Sequence, residues 1–328
     1  MTRFILRRLL VAIPTLFVIS FVTFVVIELP QGDFLDQKIA ELRQVRGDAS
    51  SQQRADELRV RYGLDRPFLE RYGKWLSGIP RGDFGESFRW DRDVSTLIGE
   101  RLGWTLVVSL GTLIFVWSFA VPLGVWAAAK SETAGARAVS AIAYVAMSLP
   151  GVLVALVALV VAFHFFGVPL HGLFSAGYRD APWSAGKIID LLQHLILPIT
   201  VIGLSGAAGL MRVMRGNMLE TLGEPFVRTA RAKGLPERVV LLKHAARVAV
   251  NPLISILGMS LPDILSGTTL VSIVLGLPTV GPLLFQSLLD QDMYLAGTIL
   301  LFMSGLLVLG NLLADLALAW ADPRIRHA

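Results

Sequence analysis

Apolar positions in this chain gather into long blocks almost free of charge instead of alternating with polar ones. Six blocks stand out: Leu9 to Leu29, Trp104 to Ala128, Ala138 to Phe166, Leu191 to Met211, Val248 to Leu275 and Leu295 to Trp320. Each reaches the ~20 residues that a helix needs to cross the hydrocarbon of a bilayer. A helix that is apolar on every side is buried in a large core or in lipid, and six in one chain favour lipid. The pattern predicts an all-α integral membrane protein with six transmembrane helices. The first block could instead be a secretory signal, since Arg3, Arg7 and Arg8 precede its bulk. Its apolar length exceeds the roughly 7–15 residues of a signal core, and no small-residue cleavage site follows. The run ends in Glu28-Leu29-Pro30-Gln31-Gly32-Asp33 and reads as a retained helix.

The polar intervals set the expected topology. Three basic residues (Arg3, Arg7, Arg8) lie at the N-terminus, two (Lys130, Arg137) in 129–137, eight in 212–247 and two (Arg324, Arg326) after the last block. The interval between the third and fourth blocks holds two (Arg179, Lys187), and the one after the fifth holds none. Cytoplasmic loops carry the excess of lysine and arginine, so both termini and 212–247 are expected in the cytoplasm. The interval after the first block has thirteen basic and thirteen acidic residues, and long segments translocate largely regardless of charge. The expected organisation is an N-terminal transmembrane helix (1–30), an external segment (31–103), a five-helix core (104–320) containing the cytoplasmic loop 212–247, and a cytoplasmic tail (321–328). Within the external segment, Gln37–Tyr62 is rich in helix formers. Leu64-Asp65-Arg66-Pro67 and Arg81-Gly82-Asp83-Phe84-Gly85 carry turn chemistry. Tyr72, Trp75, Phe84, Phe88 and Trp90 suit either a membrane interface or a small core of their own.

Composition sharpens this picture. Hydrophobic residues make up 54% of the chain and charged ones 17%, against roughly 25% charged in an ordinary soluble domain. That excludes a disordered chain and argues against a water-soluble enzyme. The absence of cysteine excludes disulfides, thiolate metal sites and a cysteine nucleophile. The net charge of +5 needs no nucleic-acid partner, because cytoplasmic loops account for it. There is no G-x-x-x-x-G-K-[ST] and no G-x-G-x-x-G opening a helix. The five histidines, at 164, 171, 194, 244 and 327, have no metal-ligand spacing.

Two carboxylates fall deep in the blocks. Asp263 follows Pro262, and Asp315 lies near the end of the last block. An ionisable group in lipid is costly and is a functional candidate. Asp263 could line a polar solute path with Ser266 and Thr269, or satisfy a helix contact beside the proline; Asp315 could pair with Arg324 or Arg326. The same two aspartates are all that an intramembrane protease could use. Small residues such as Gly203-Leu204-Ser205-Gly206-Ala207-Ala208-Gly209, and prolines at 122, 150, 198, 252 and 262, suit helices that pack closely and move.

The most informative polar segment runs from Glu224-Pro225-Phe226-Val227-Arg228-Thr229-Ala230 through Arg231-Ala232-Lys233-Gly234-Leu235-Pro236 to Glu237-Arg238-Val239. It reads as two short helices broken at Gly234, which can take positive φ, with Pro236 opening the second. Phe226, Val227 and Ala230 form a small apolar set flanked by arginines. A basic interfacial helix is one reading; the tight turn suits docking into a protein groove.

At this loop the chain resembles the cytoplasmic "EAA" loop of binding-protein-dependent ABC importer permeases, and more closely the dipeptide/oligopeptide/nickel permeases. The resemblance spans nearly the whole sequence. Arg7-Arg8-Leu9-Leu10 to Pro14-Thr15-Leu16, Tyr62-Gly63-Leu64-Asp65-Arg66-Pro67 with Arg81-Gly82-Asp83-Phe84-Gly85-Glu86-Ser87, Thr229 to Leu235, and Asn311 to Arg326 match in order. It departs where the EAA glutamate falls on Arg228, and where the usual Glu and Pro-Gly after the fifth helix are Ser272 and Pro278-Thr279. The resemblance implies a type I ABC importer permease fold, with 31–103 periplasmic, in a bacterial or archaeal plasma membrane. It implies one half of a pore for peptides or similar solutes, with oligosaccharides or opines as the alternative cargo. Implied partners are a second permease, two ABC ATPases that bind ATP and Mg²⁺, and a solute-binding protein; this chain would carry no cofactor and no catalytic residue. Glu224, Arg228, Thr229, Ala230, Arg231, Ala232, Lys233 and Gly234 would be the ATPase-coupling residues. A stand-alone secondary transporter would show inverted repeats, and none is visible; a membrane anchor would have little use for the proline breaks.

Overall fold

The computed structural model of the chain describes residues 2–28, 57, 59, 60, 63, 65–167, 171–257 and 269–321. These are mostly helical: α1 (Thr2–Glu28), α2 (Phe68–Gly78), α3 (Val94–Ala129), α4 (Ala134–Ser148), α5 (Gly151–Phe166), α6 (Ala185–Leu222) and α7 (Pro225–Ala232). Then come α8 (Glu237–Ala249), which includes a π turn at Val240–Ala245, and α9 (Asn251–Leu257). α10 (Thr269–Val274), α11 (Val280–Leu289) and α12 (Met293–Ala321) complete the order. Extended pairing among the described residues is limited to one bridge, Glu86 with Asp93. The helix-forming stretch Gln37–Tyr62 falls almost wholly outside the described residues.

Four of these helices, α1, α3, α6 and α12, are long and apolar enough to cross a membrane. Two bent pairs, α4 with α5 and α8 with α9, bring the number to six where each pair counts as one span. The third apolar block was expected as a single helix and is instead broken, α4 and α5 meeting at a bend of 102°. Pro150 explains the break. It supplies no N–H and drives Leu149 out of helical torsion, to φ −82° and ψ 127°. α3, the helix of the second apolar block, starts at Val94, well before that block, because Val94, Leu97 and Ile98 make a buried stripe at helical spacing.

The chain forms two compact units. The first comprises residues 2–103 and 279–306, the second 104–278 and 307–328. The first is built on aromatic packing. Tyr72, Trp75 and Phe88 are buried with Phe24, Met293 and Ala296. These rings therefore occupy a core, one that they share with α1 and α12. Phe84 packs on Phe302 at 5.3 Å between ring centroids, while Trp90 is exposed under the Arg101 guanidinium. Polar groups lock this core: Tyr72 and Ser20 share a 2.8 Å hydrogen bond, and the Trp75 Nε1–H donates to Thr298 Oγ1 at 3.2 Å.

In the second unit, the end of α6 carries Met211, Met214 and Met218, all buried against Val227, Ala230, Val240, Ala245, Ala249 and Leu253. Small and unbranched side chains let the backbones approach: a Cβ on Gly124 would lie 2.7 Å from that of Met214.

Candidate functional site

The hairpin at the end of α6 is assembled from the backbone outwards. Gly223 ends α6, Glu224 adopts the extended torsions of an N-cap (φ −70°, ψ 147°), and Pro225 takes the first helical position. Proline suits that place because its missing N–H would have no helical partner there. Thr229 Oγ1 donates to the Pro225 carbonyl at 2.9 Å, which stiffens the first turn of α7. Lys233 then closes the helix with its N–H on Thr229 O, and Gly234 follows at φ +72°. The Gly234 N–H reaches Arg231 O at 2.9 Å and the Leu235 N–H reaches Ala230 O at 3.4 Å, so the last carbonyls are capped. A Cβ at Gly234 would meet nothing within 4 Å. Torsion, and not space, demands glycine here.

Arg231 straps the turn. Its Nε and Nη2 donate to the two Glu237 carboxylate oxygens at 3.2 and 2.7 Å, across the Gly234 break. This fork holds the Glu237 carboxyl below the usual carboxylate range and raises the Arg231 guanidinium. Glu224, Arg228, Thr229, Arg231, Ala232, Lys233 and Gly234 are all exposed, whereas Ala230 is buried.

 Seven of the eight loop residues singled out in the sequence are thus presented together on one hairpin, and Ala230 is the exception.

The apolar set expected to form one docking face is divided. Val227 and Ala230 are buried in the hairpin's own core, beneath α6 and the π turn, and Phe226 alone stays 41% exposed. Helical spacing places the three on one side of α7, but Val227 and Ala230 face inward once α6 and α8 close on them.

A further contact ties the hairpin to its stem. Pro252 has no N–H to offer the Val248 carbonyl, and the Leu253 N–H turns to Val250 O at 2.9 Å, away from Ala249. Asn217 of α6 donates its Nδ2–H to the Ala249 carbonyl at 3.2 Å. Nothing in the spacing of the sequence pairs residues 217 and 249; the one local signal is Pro252, which denies Val248 its donor and breaks the ladder next to Ala249.

Of the expected solute-path residues, Asp263 and Ser266 lie outside the described residues, and Thr269 opens α10 half-buried. Asp315 is half-buried on α12, and its expected partners Arg324 and Arg326 lie outside the described residues. Ser272, at the position where the resembled family has glutamate, is buried on α10. Gly276 follows at φ +63°, where a Cβ would collide with the His171 ring at 2.1 Å. Among the described residues, no three histidine or acidic side chains gather as a metal site would require.

A long, multiply spanning helical chain with a basic, glycine-broken hairpin between two of its apolar helices defines a membrane permease component. The chain belongs to the family of binding-protein-dependent transport system inner membrane components, whose model matches residues 120–327. A companion model for the N-terminal part of such components matches residues 1–110. The chain is 33% identical over 332 residues to the oligopeptide transport system permease protein AppB of Bacillus subtilis, covering all of both chains. It is 34% identical over 327 residues to a putative peptide permease protein of Brucella ovis, and 33% identical over 334 residues to the oligopeptide transport system permease protein OppB of Mycobacterium tuberculosis. Each of these matches covers 99% of both chains. The chain is therefore a multi-pass membrane permease subunit of an ABC importer.

Proposed function

We propose that this permease subunit imports peptides, forming half of a pore with a second, homologous permease. The full-length likeness to proteins named as peptide and oligopeptide permeases supports that cargo over oligosaccharides or opines. A solute-binding protein delivers the peptide outside, and two ABC ATPases bind and hydrolyse ATP with Mg²⁺ inside; this chain contributes no catalytic group. Both termini and 212–247 face the cytoplasm, 31–103 faces the periplasm, and the N-terminal helix in 1–30 with the five-helix core in 104–320 makes six crossings. Asp263, Ser266 and Thr269 line the solute path.

One observation carries the coupling role. Residues Glu224 to Gly234 form a capped hairpin whose apolar residues Val227 and Ala230 join the same core as α6 and α8. A push on the exposed Phe226, Arg228 and Lys233 is thereby delivered to α6 and α8 at once. Gly234→Val tests this, since a β-branched residue at positive φ is strained by ~1–3 kcal/mol. The variant is expected to reach the membrane, yet to lose co-purification of the ATPase or solute-stimulated ATP hydrolysis in proteoliposomes. Wild-type values of both, with activity following anionic-lipid content alone, would overturn the coupling reading. The cargo is tested separately, by offering the cognate binding protein labelled peptides, oligosaccharides and opines.

A further inference from the structure

Between the hairpin and the remainder of its helix lies a joint. α8 and α9 meet at a bend of 45° across Val250. Pro252 denies Val248 its helical N–H, and the Leu253 N–H bonds to Val250 O. Just before the joint, α8 widens into the π turn Val240–Ala245. A π turn and a proline are each recognised causes of a helix kink, and with one after the other this stem has little stiffness of its own.

We propose that Asn217 is a positioning residue for coupling: its amide, on the Ala249 carbonyl, clasps the joint and fixes the angle at which the hairpin meets α9. The acceptor is a carbonyl, so Asn217 must present its NH₂ to it, and the 3.2 Å contact joins residues 32 apart in sequence. Asn217 is itself steadied, because Met214 and Met218 on either side of it are buried in the core shared with Ala249 and Leu253. Thr221 Oγ1 donates to the Asn217 carbonyl at 2.7 Å, closing the turn below it. With the clasp made, a displacement of the hairpin carries α6 and α8 together. With the clasp lost, the joint flexes and the same displacement is dissipated at Val250. This inference rests on the coupling reading above and adds the residue that makes the linkage stiff.

The test reads the joint and the transport separately. The chain has no cysteine, so spin labels at Arg238→Cys and Ser255→Cys, both exposed positions, report the distance across the bend in the reconstituted complex. Asn217→Ala is expected to broaden that distance distribution and to lower solute uptake per ATP about fivefold, the factor that one ordinary hydrogen bond gives. The ATPase should still co-purify. Asn217→Asp, isosteric but without an N–H to give, should do the same and keeps the test open if the alanine variant fails to assemble. In a Pro252→Ala background residue 252 regains an N–H for Val248 O and the straightened ladder returns the Leu253 N–H to Ala249 O, so Asn217→Ala should there have little further effect. An unchanged distance distribution in both Asn217 variants overturns the clasp. So does a broadened distribution with unchanged uptake per ATP, or an undiminished effect in the Pro252→Ala background. If the hairpin couples to no ATPase, Gly234→Val is silent while the distance measurement still reports on the joint, so the two failures are distinct.

Discussion

The aromatic core of the first unit and the hairpin core of the second solve different problems. Phe24, Tyr72, Trp75 and Phe88 meet in directional contacts, such as the 65° edge-to-face pair of Phe24 and Tyr72. Hydrogen bonds pin their polar ends. The hairpin core is mostly methionine, alanine and valine, and the Arg231–Glu237 fork and the Asn217 clasp tie its helices together. Rings with fixed partners resist rearrangement, whereas methionine adapts to shifts of its neighbours. The first core is suited to holding a shape, the second to being moved as a block.

The sharpest way to break this contrast is to remove a ring. Trp75→Ala should cost about 3–5 kcal/mol, because Trp75 is 3% exposed and loses its bond to Thr298 as well. Thermal unfolding of the purified protein should show a large loss, with membrane insertion retained. A loss no larger than that of Met218→Ala would erase the distinction between the cores.

A pH experiment comes next in size. Asp292, fully buried before α12, accepts hydrogen bonds from Ser87 Oγ at 2.5 Å and from the Leu295 N–H at 3.2 Å. Burial nonetheless outweighs these bonds and pushes its carboxyl up to about 6. A carboxyl raised in the fold binds its proton more tightly there than in the unfolded chain, so stability is greatest below about pH 4. It declines as pH rises towards 6 and stays low above that. The expected difference is ~3 kcal/mol. Asn at 292 should remove most of this dependence while keeping the acceptor for Leu295. Equal melting temperatures of the wild type at pH 5 and 7.5 would contradict it.

The smallest effect is expected at the fork. Arg231→Glu breaks an exposed pair worth ~0–1 kcal/mol and leaves the Gly234 turn intact. ATPase co-purification should weaken only slightly, and Arg231→Glu with Glu237→Arg should recover it. A loss as large as that of Gly234→Val would mean that Arg231 contacts the ATPase directly.

Much of this molecule could be read from its residues. Blocks of apolar sequence located α1, α3, α6 and α12 because a helix in lipid needs length and apolarity alone. Gly234 and Pro236 announced the hairpin because backbone torsion is a local property. The division of Phe226 from Val227 and Ala230 was hidden, since it depends on which neighbours cover α7. The Arg231–Glu237 pair was hidden too: its spacing of six belongs to no regular helix, and only the turn brings the two together. The bend at Leu149 was signalled by Pro150, but a proline inside a helix need not break it, as Pro122 and Pro198 demonstrate in α3 and α6.

That bend governs the parity of the chain. The basic segment 212–247 shares a compartment with the N-terminus only if an even number of crossings precedes it. α1, α3 and α6 make three, so the bent pair of α4 and α5 must supply the fourth. At ~1.5 Å per residue its arms are each under 25 Å long, less than the ~30 Å of hydrocarbon, and neither arm crosses alone. Were the pair to dip in and return, every segment after it would change sides, the 212–247 hairpin among them. The sidedness of about half the chain thus hangs on how one proline-broken elbow is laid across the bilayer.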